Sequence, residues 1–142
     1  MKTLINLTAL LLAAMYALPA SAQNDYKIVV EVENIQSTEG SIRVGLFNSK
    51  NTFLEDAYKG ITARPEKGTM TFTFDHIPPG EYTVSVYHDL NDNGELDSNM
   101  MGIPTEPYGI SLEGRSMFGP PVYSRAAFKV TDKNVRLLIT LE

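Results

Sequence analysis

Between Tyr87 and Asp97 the chain reads Tyr-His-Asp-Leu-Asn-Asp-Asn-Gly-Glu-Leu-Asp. Asp89, Asn91 and Asn93 stand at alternate positions, Gly94 follows, Glu95 offers a main-chain carbonyl, and Asp97 lies two residues further on. This is the opening of a calcium loop of the form D-x-[DN]-x-[DN]-G-x-x-D. A hard divalent cation takes about six to eight oxygens at short range, so the backbone must curl around it and aim every second side chain inward. Gly94 permits the sharp turn. The pattern departs from a full EF-hand loop at the twelfth place, where a bidentate Glu is expected and Met100 stands. Another carboxylate must then complete the shell. Glu106 is the first candidate, because Gly102 and Pro104 allow the chain to fold back over the loop; Glu113 is the second. The competing reading is a metal-free turn, since Asn-Gly between polar residues also connects strands.

Catalytic chemistry has less to build on. There is no cysteine, and no G-x-S-x-G elbow, H-E-x-x-H pair or phosphate loop. His88 and Asp89 are neighbours, but adjacent strand residues point to opposite faces, which places them poorly as base and orienter. His88 continues an apolar stripe and reads as a hydrogen-bonded core residue. The expectation is a protein that is not an enzyme, with a hydrolase using His88, or a transition-metal site shared by His76 and His88, as alternatives. A formal net charge of −5 with scattered Lys and Arg makes nucleic acid and anionic membranes poor partners.

The elements that must position the loop follow from periodicity. The chain opens with Lys2, an apolar run over 4–18, and Ala20-Ser21-Ala22, the three regions of a cleavable secretory signal; the run is too short to span a bilayer. Residues 1–22 are therefore expected to be removed, leaving 23–142 as one exported domain, periplasmic or extracellular, without a lipid anchor or transmembrane segment. Ile28, Val30 and Val32 alternate with polar residues, as do Ile42, Val44 and Leu46, and the break at 37–40 suggests that the two strands form a hairpin. Residues 48–60 carry helical spacing and predict a short helix, with Asn51 or Thr52 as cap. Residues 61–64 suggest a short strand. Met70, Phe72 and Phe74 mark another, followed by a Pro78-Pro79-Gly80 turn and the strand 81–88, with Tyr82, Val84, Val86 and His88 on one face. Ala126, Phe128 and Val130 form a further strand, and Val135, Leu137, Ile139 and Leu141 the last.

From 91 to 123 the period is lost among nine Gly and Pro residues. Apolar residues within it argue for a long ordered loop packed on the sandwich. Met101, Tyr108, Phe118 and Tyr123 are its candidates for contact with a partner, a protein, peptide or glycan of the cell envelope. About seven short alternating strands with little helix describe an all-β fold, a single antiparallel β-sandwich.

Several motifs carry a family resemblance. Ile77-Pro78-Pro79-Gly80-Glu81-Tyr82-Thr83-Val84 resembles the turn and strand of transthyretin-like, carboxypeptidase-regulatory and collagen-adhesin B-type sandwiches. His88-Asp89 through Asp97, Gly102-Ile103-Pro104-Thr105-Glu106, Tyr108-Gly109 and Phe118-Gly119-Pro120-Pro121 ending in Ala126-Ala127-Phe128 resemble the bacterial exported family called domain of unknown function twenty-one forty-one, over nearly all of the chain after the signal. The resemblance implies an immunoglobulin-like or transthyretin-like Greek-key module without an established activity. The chain departs from that family's usual run at Ile110-Ser111-Leu112-Glu113. Transthyretin-like sandwiches include a hydrolase of a purine breakdown product, but the tail Ile139-Thr140-Leu141-Glu142 departs from its C-terminal motif. The resulting expectation is an exported, non-catalytic, calcium-stabilised β-sandwich that acts as a binding or structural module, with a metal-free interaction module as the alternative.

Overall fold

The computed structural model describes residues 25–112, 114–116 and 119–142. The signal segment 1–22, the second-choice carboxylate Glu113 and the partner candidate Phe118 lie outside the described residues. Among the described residues eight strands occur, in the order Tyr26–Ile35 (β1), Ser41–Phe47 (β2), Lys59–Ala63 (β3), Gly68–Ile77 (β4), Gly80–Asp89 (β5), Tyr108–Ile110 (β6), Phe128–Val130 (β7) and Val135–Thr140 (β8), with one α-helical turn, Tyr123–Ala126 (α1).

They form two sheets. One has the order β4-β1-β8; the other runs β3-β2-β5-β6, with β7 also paired to β5. The alternating residues Ile28, Val30 and Val32 of β1 face Val44, Leu46, Val84 and Val86 in one core, joined by Phe72, Phe74, Leu137 and Ile139. Each such side chain taken from water contributes about 1.5–3 kcal/mol. This burial holds the two layers together. Pairing is mostly antiparallel, but β1 and β8 run parallel, with Ile28 opposite Val135 and Val32 opposite Ile139. A sandwich of mostly antiparallel strands is thus present.

The expected β1–β2 hairpin is not. β1 pairs with β4 and β8, and β2 with β3 and β5, so 37–40 crosses from one layer to the other. Two strands with one apolar face each can bury those faces against one another across the core as well as side by side. Alternation is the same in both cases. Gly40 makes the crossing possible: its φ is +69°, and a Cβ there would lie 1.9 Å from the Asp89 carbonyl oxygen.

The predicted helix over 48–60 reduces to a 3₁₀ turn, Lys50–Thr52, with Ser49 as its cap in place of Asn51 or Thr52. Leu54 takes a φ of +66°, which ends helical continuation, and Lys59–Ala63 pairs with β2 as an edge strand. The short helix that does form is α1, where Ala126 is buried, and the following strand starts at Phe128 rather than Ala126. β5 is the spine of the second sheet, with β2 along one edge and β6 and β7 sharing the other. Its last residue, Asp89, opens the acidic loop.

Candidate metal centre

Asp89 is fully buried, which for a carboxylate requires partners. Its Oδ1 accepts the Asn93 N–H at 3.0 Å, and its Oδ2 accepts the Gly94 N–H at 2.8 Å and the Arg43 Nε–H at 2.7 Å. Burial alone would push this carboxyl up, but the Gly94 N–H, the Arg43 guanidinium and the Asn93 N–H together outweigh it. The pKa lies below the ordinary aspartate value. The carboxylate therefore acts as the post around which the loop is wound. Asp92 (φ +60°) and Gly94 (φ +89°) supply the left-handed turns of the winding.

The next three side chains of the motif meet. Asn91 Nδ2 donates to Asp97 Oδ2 at 2.6 Å, and Asn93 Nδ2 donates to Asp97 Oδ1 at 2.9 Å. The other ends of the two amides hold the backbone: Asn91 Oδ1 accepts the Asn93 N–H at 3.2 Å, and Asn93 Oδ1 accepts the Glu95 N–H at 2.9 Å. Tyr87 donates its hydroxyl to the Gly94 carbonyl at 2.8 Å. Asn91, Asn93 and Asp97 are thus brought to one point beside the turn that Asp89 anchors.

Glu106 is also brought to the loop. Asn99 caps a tight hairpin by accepting the Met101 and Ile103 N–H groups, Gly102 turns at φ +75°, and Ser98 bridges to Pro104. The chain then returns with the Thr105 N–H on the Asp97 carbonyl at 2.8 Å. Glu106 is buried, and its two carboxylate oxygens accept the Leu90 N–H at 2.8 Å and the Asp97 N–H at 3.0 Å. It ties the loop's second and ninth residues together by their main chain.

The donor set fits a hard cation in kind. Among the described residues no group of three or more His, Cys, Asp or Glu side chains is placed to hold a metal, so an ion here relies on amide and carbonyl oxygens beside the carboxylates. Calcium accepts such a mixture, whereas zinc does not. Rotating the Asn91 and Asn93 amides by half a turn would set oxygens against Asp97, an arrangement that is unfavourable without a cation and favourable around one.

Two residues here carried no signal in the sequence. Arg43, half-buried on β2, holds Asp89 and lies 3.8 Å from Asp92 Oδ1, and Ser41 donates to Asp92 at 2.7 Å. Only the β2–β5 register, with Ser41 opposite Asp89 and Arg43 opposite Tyr87, reveals them.

His88 is 1% exposed, and its Nε2 lies 2.8 Å from the Glu39 carbonyl, an N–H donation that ties the 37–40 crossing to β5. His76 is exposed near Asp25, at the opposite end of β1, so the two histidines share no site. The partner candidates separate as well. Met101 and Tyr108 line one cleft of about 880 Å³, with the Arg115 guanidinium 4.5 Å above the Tyr108 ring. Tyr123 instead sets its ring edge against Phe53 at 5.4 Å, in a chain of aromatic contacts with Phe47.

Residues 30–137 match the model of a family described as an uncharacterized protein conserved in bacteria (DUF2141). Comparison with curated proteins and with solved structures gives no significant match. The chain belongs to this bacterial family.

Proposed function

We propose that this family member is an exported, non-catalytic β-sandwich protein whose acidic loop is stabilised by calcium, and that it serves as a binding or structural module of the cell envelope. One observation carries the metal reading: the Asn91 and Asn93 amides both converge on the Asp97 carboxylate, while Asp89 and Glu106 hold the surrounding main chain. In this reading Asp89, Asn91, Asn93, Asp97 and the Glu95 carbonyl are the ligands. Each Glu106 oxygen keeps a second lone pair beyond its backbone bond, which lets the same carboxylate complete the shell. The ion would supply fixed positive charge against which acidic side chains can pack, and its effect would be on stability rather than on any reaction.

Export is supported by the apolar run over 4–18 and the Ala20-Ser21-Ala22 end. Among the described residues no helix is long and apolar enough to cross a membrane. A catalytic role for His88 has little support, since its ring is buried and bonded to a carbonyl.

The alternative is a metal-free interaction module. It is favoured by the number of hydrogen bonds that the loop already makes within itself. The thermal midpoint of residues 23–142 in chelator, in millimolar calcium and in magnesium separates the two. A ligand at about a hundred times its dissociation constant adds about 2.7 kcal/mol, a shift of several degrees for a domain of this size. A calcium-selective rise supports the ion site; superimposable melts in all three conditions leave the metal-free module.

A further inference from the structure

We propose that the outer face of the five-stranded sheet carries a binding trough for an uncharged, largely apolar small molecule, seated over Gly60, Gly45 and Ser85. The register sets these in one row: Gly60 lies opposite Gly45, Gly45 opposite Ser85, and Ser85 opposite Ile110. The row beside it is Thr62, Arg43, Tyr87 and Tyr108. Small residues beside tall ones make a channel across three strands, β3, β2 and β5, about 10 Å long at the usual strand spacing, with Ile110 of β6 at its end. The cleft above Gly45 and Gly60 is about 560 Å³, and Leu54, Ser85 and Leu96 line both it and the 880 Å³ cleft that runs on past Met101 and Tyr108. Both volumes lie in the range of small-molecule sites.

Gly60 is the residue that points to a ligand. Glycine inside a strand weakens it, and a strand glycine often marks the close approach of something to the backbone. Packing accounts for Gly45, where a Cβ would come 3.0 Å from the Phe47 ring. Packing does not account for Gly60. A Cβ there would meet only the Val44 carbonyl, at 3.9 Å, and the backbone is outside the left-handed region that favours glycine. The absent side chain leaves a cradle in the trough floor that a methyl group would fill.

The lining selects the chemistry. Arg43 is paired with Asp89, and Arg115 with Glu142, so neither cation is left for an anionic ligand. Phe47, Leu54, Ala57 and Leu96 are apolar, Ser85 offers a hydroxyl on the floor, and Thr62 and Tyr87 carry two more. The carboxylates of Glu55 and Glu95 also line the cleft and oppose an anion further. A neutral molecule with an apolar body and hydrogen-bonding polar groups matches that lining.

This inference gives a ligand class to the binding-module reading and does not need the metal. It is tested by titrating the protein with the uncharged dye N-phenyl-1-naphthylamine, with and without calcium, beside Gly60→Ala, Gly60→Leu and a control, Thr71→Leu, on the exposed face of the other sheet. Saturable one-site binding is expected, weakened about tenfold or more by Gly60→Leu and less by Gly60→Ala, a difference well outside measurement error. Thermal midpoints should be unchanged or higher in both Gly60 variants, and Thr71→Leu should bind as the parent does. No saturable binding, or equal affinity in the Gly60 variants, overturns the inference; if Gly60→Leu does not fold, Gly60→Ala decides. Dye binding without a calcium shift would remove the metal reading alone, and a calcium shift without dye binding would remove this one alone.

Discussion

The Arg43 Nε–H and the Gly94 N–H meet on the same oxygen of Asp89, at 2.7 and 2.8 Å. One buried carboxylate oxygen thereby joins strand β2 to the turn of the acidic loop. The loop is built into the sheet rather than hung from its end.

Replacing Asp89 with Asn puts an amide N–H₂ among donors from Arg43, Gly94 and Asn93. Breaking a buried charge pair costs about 3–5 kcal/mol, and unmatched donors add to that; partial exposure of Arg43 places this site near the lower figure. Urea denaturation should show a loss of about 3 kcal/mol for Asp89→Asn. A loss below about 1 kcal/mol would contradict the buried geometry described for Asp89.

The same carboxylate predicts an acid limb. Its folded-state pKa is depressed below the ordinary value by the Gly94, Arg43 and Asn93 contacts, against the upward push of burial. A depressed group contributes stability that is present above its unfolded pKa and lost as pH falls through its folded pKa. Stability should therefore decline below about pH 4, where an unfolded Asp begins to take up a proton. Asp89→Asn should flatten that limb; an equally steep acid limb in the variant would assign it to other carboxylates.

Glu106→Gln separates two roles of one side chain. Both oxygens accept main-chain N–H groups, from Leu90 and Asp97, and an amide can accept only one of them without setting donor against donor. A loss of about 1–3 kcal/mol is expected in chelator. If Glu106 also completes the calcium shell, the calcium-induced rise in midpoint should shrink as well. An undiminished rise would restrict it to the main-chain clamp.

Gly40 is a position where any side chain should prevent folding. The crossing between layers passes so close to β5 that a Cβ would overlap the Asp89 carbonyl oxygen at 1.9 Å, and the φ of +69° is itself unfavourable for alanine. Gly40→Ala should yield little soluble protein, or a midpoint lowered by well over ten degrees, at about 4–8 °C for each kcal/mol lost. A near-normal melt would mean that the crossing takes another path.

Much of this was legible in the order of residues. Alternation in Ile28, Val30 and Val32, in Met70, Phe72 and Phe74, and in Tyr82, Val84 and Val86 specifies strands with one dry face, because side chains on an extended backbone point to opposite sides in turn. The spacing of Asp89, Asn91, Asn93, Gly94 and Asp97 is likewise local. A loop of nine residues can converge three side chains on one point through its own turns and Asx bonds, without help from the rest of the chain. Motif order also placed the chain in its family, and Gly102 with Pro104 indicated the return that brings Glu106 to the loop.

Partnership between strands was not legible. Alternation states which face is buried and not which strand covers it, so the β1–β2 hairpin was as consistent with the pattern as the crossing that forms. The parallel pairing of β1 with β8 joins residues about a hundred positions apart, and no local signal reports it. The Arg43–Asp89 pair, the row of Gly60, Gly45 and Ser85, and the hold of His88 on Glu39 all arise from that registration of distant strands. Local spacing thus specifies the long strands, the curl of the acidic loop and the family, whereas short β6, hidden in the aperiodic stretch 91–123, and the neighbours of every strand come from the fold, because a pairing register depends on contacts between residues far apart along the chain.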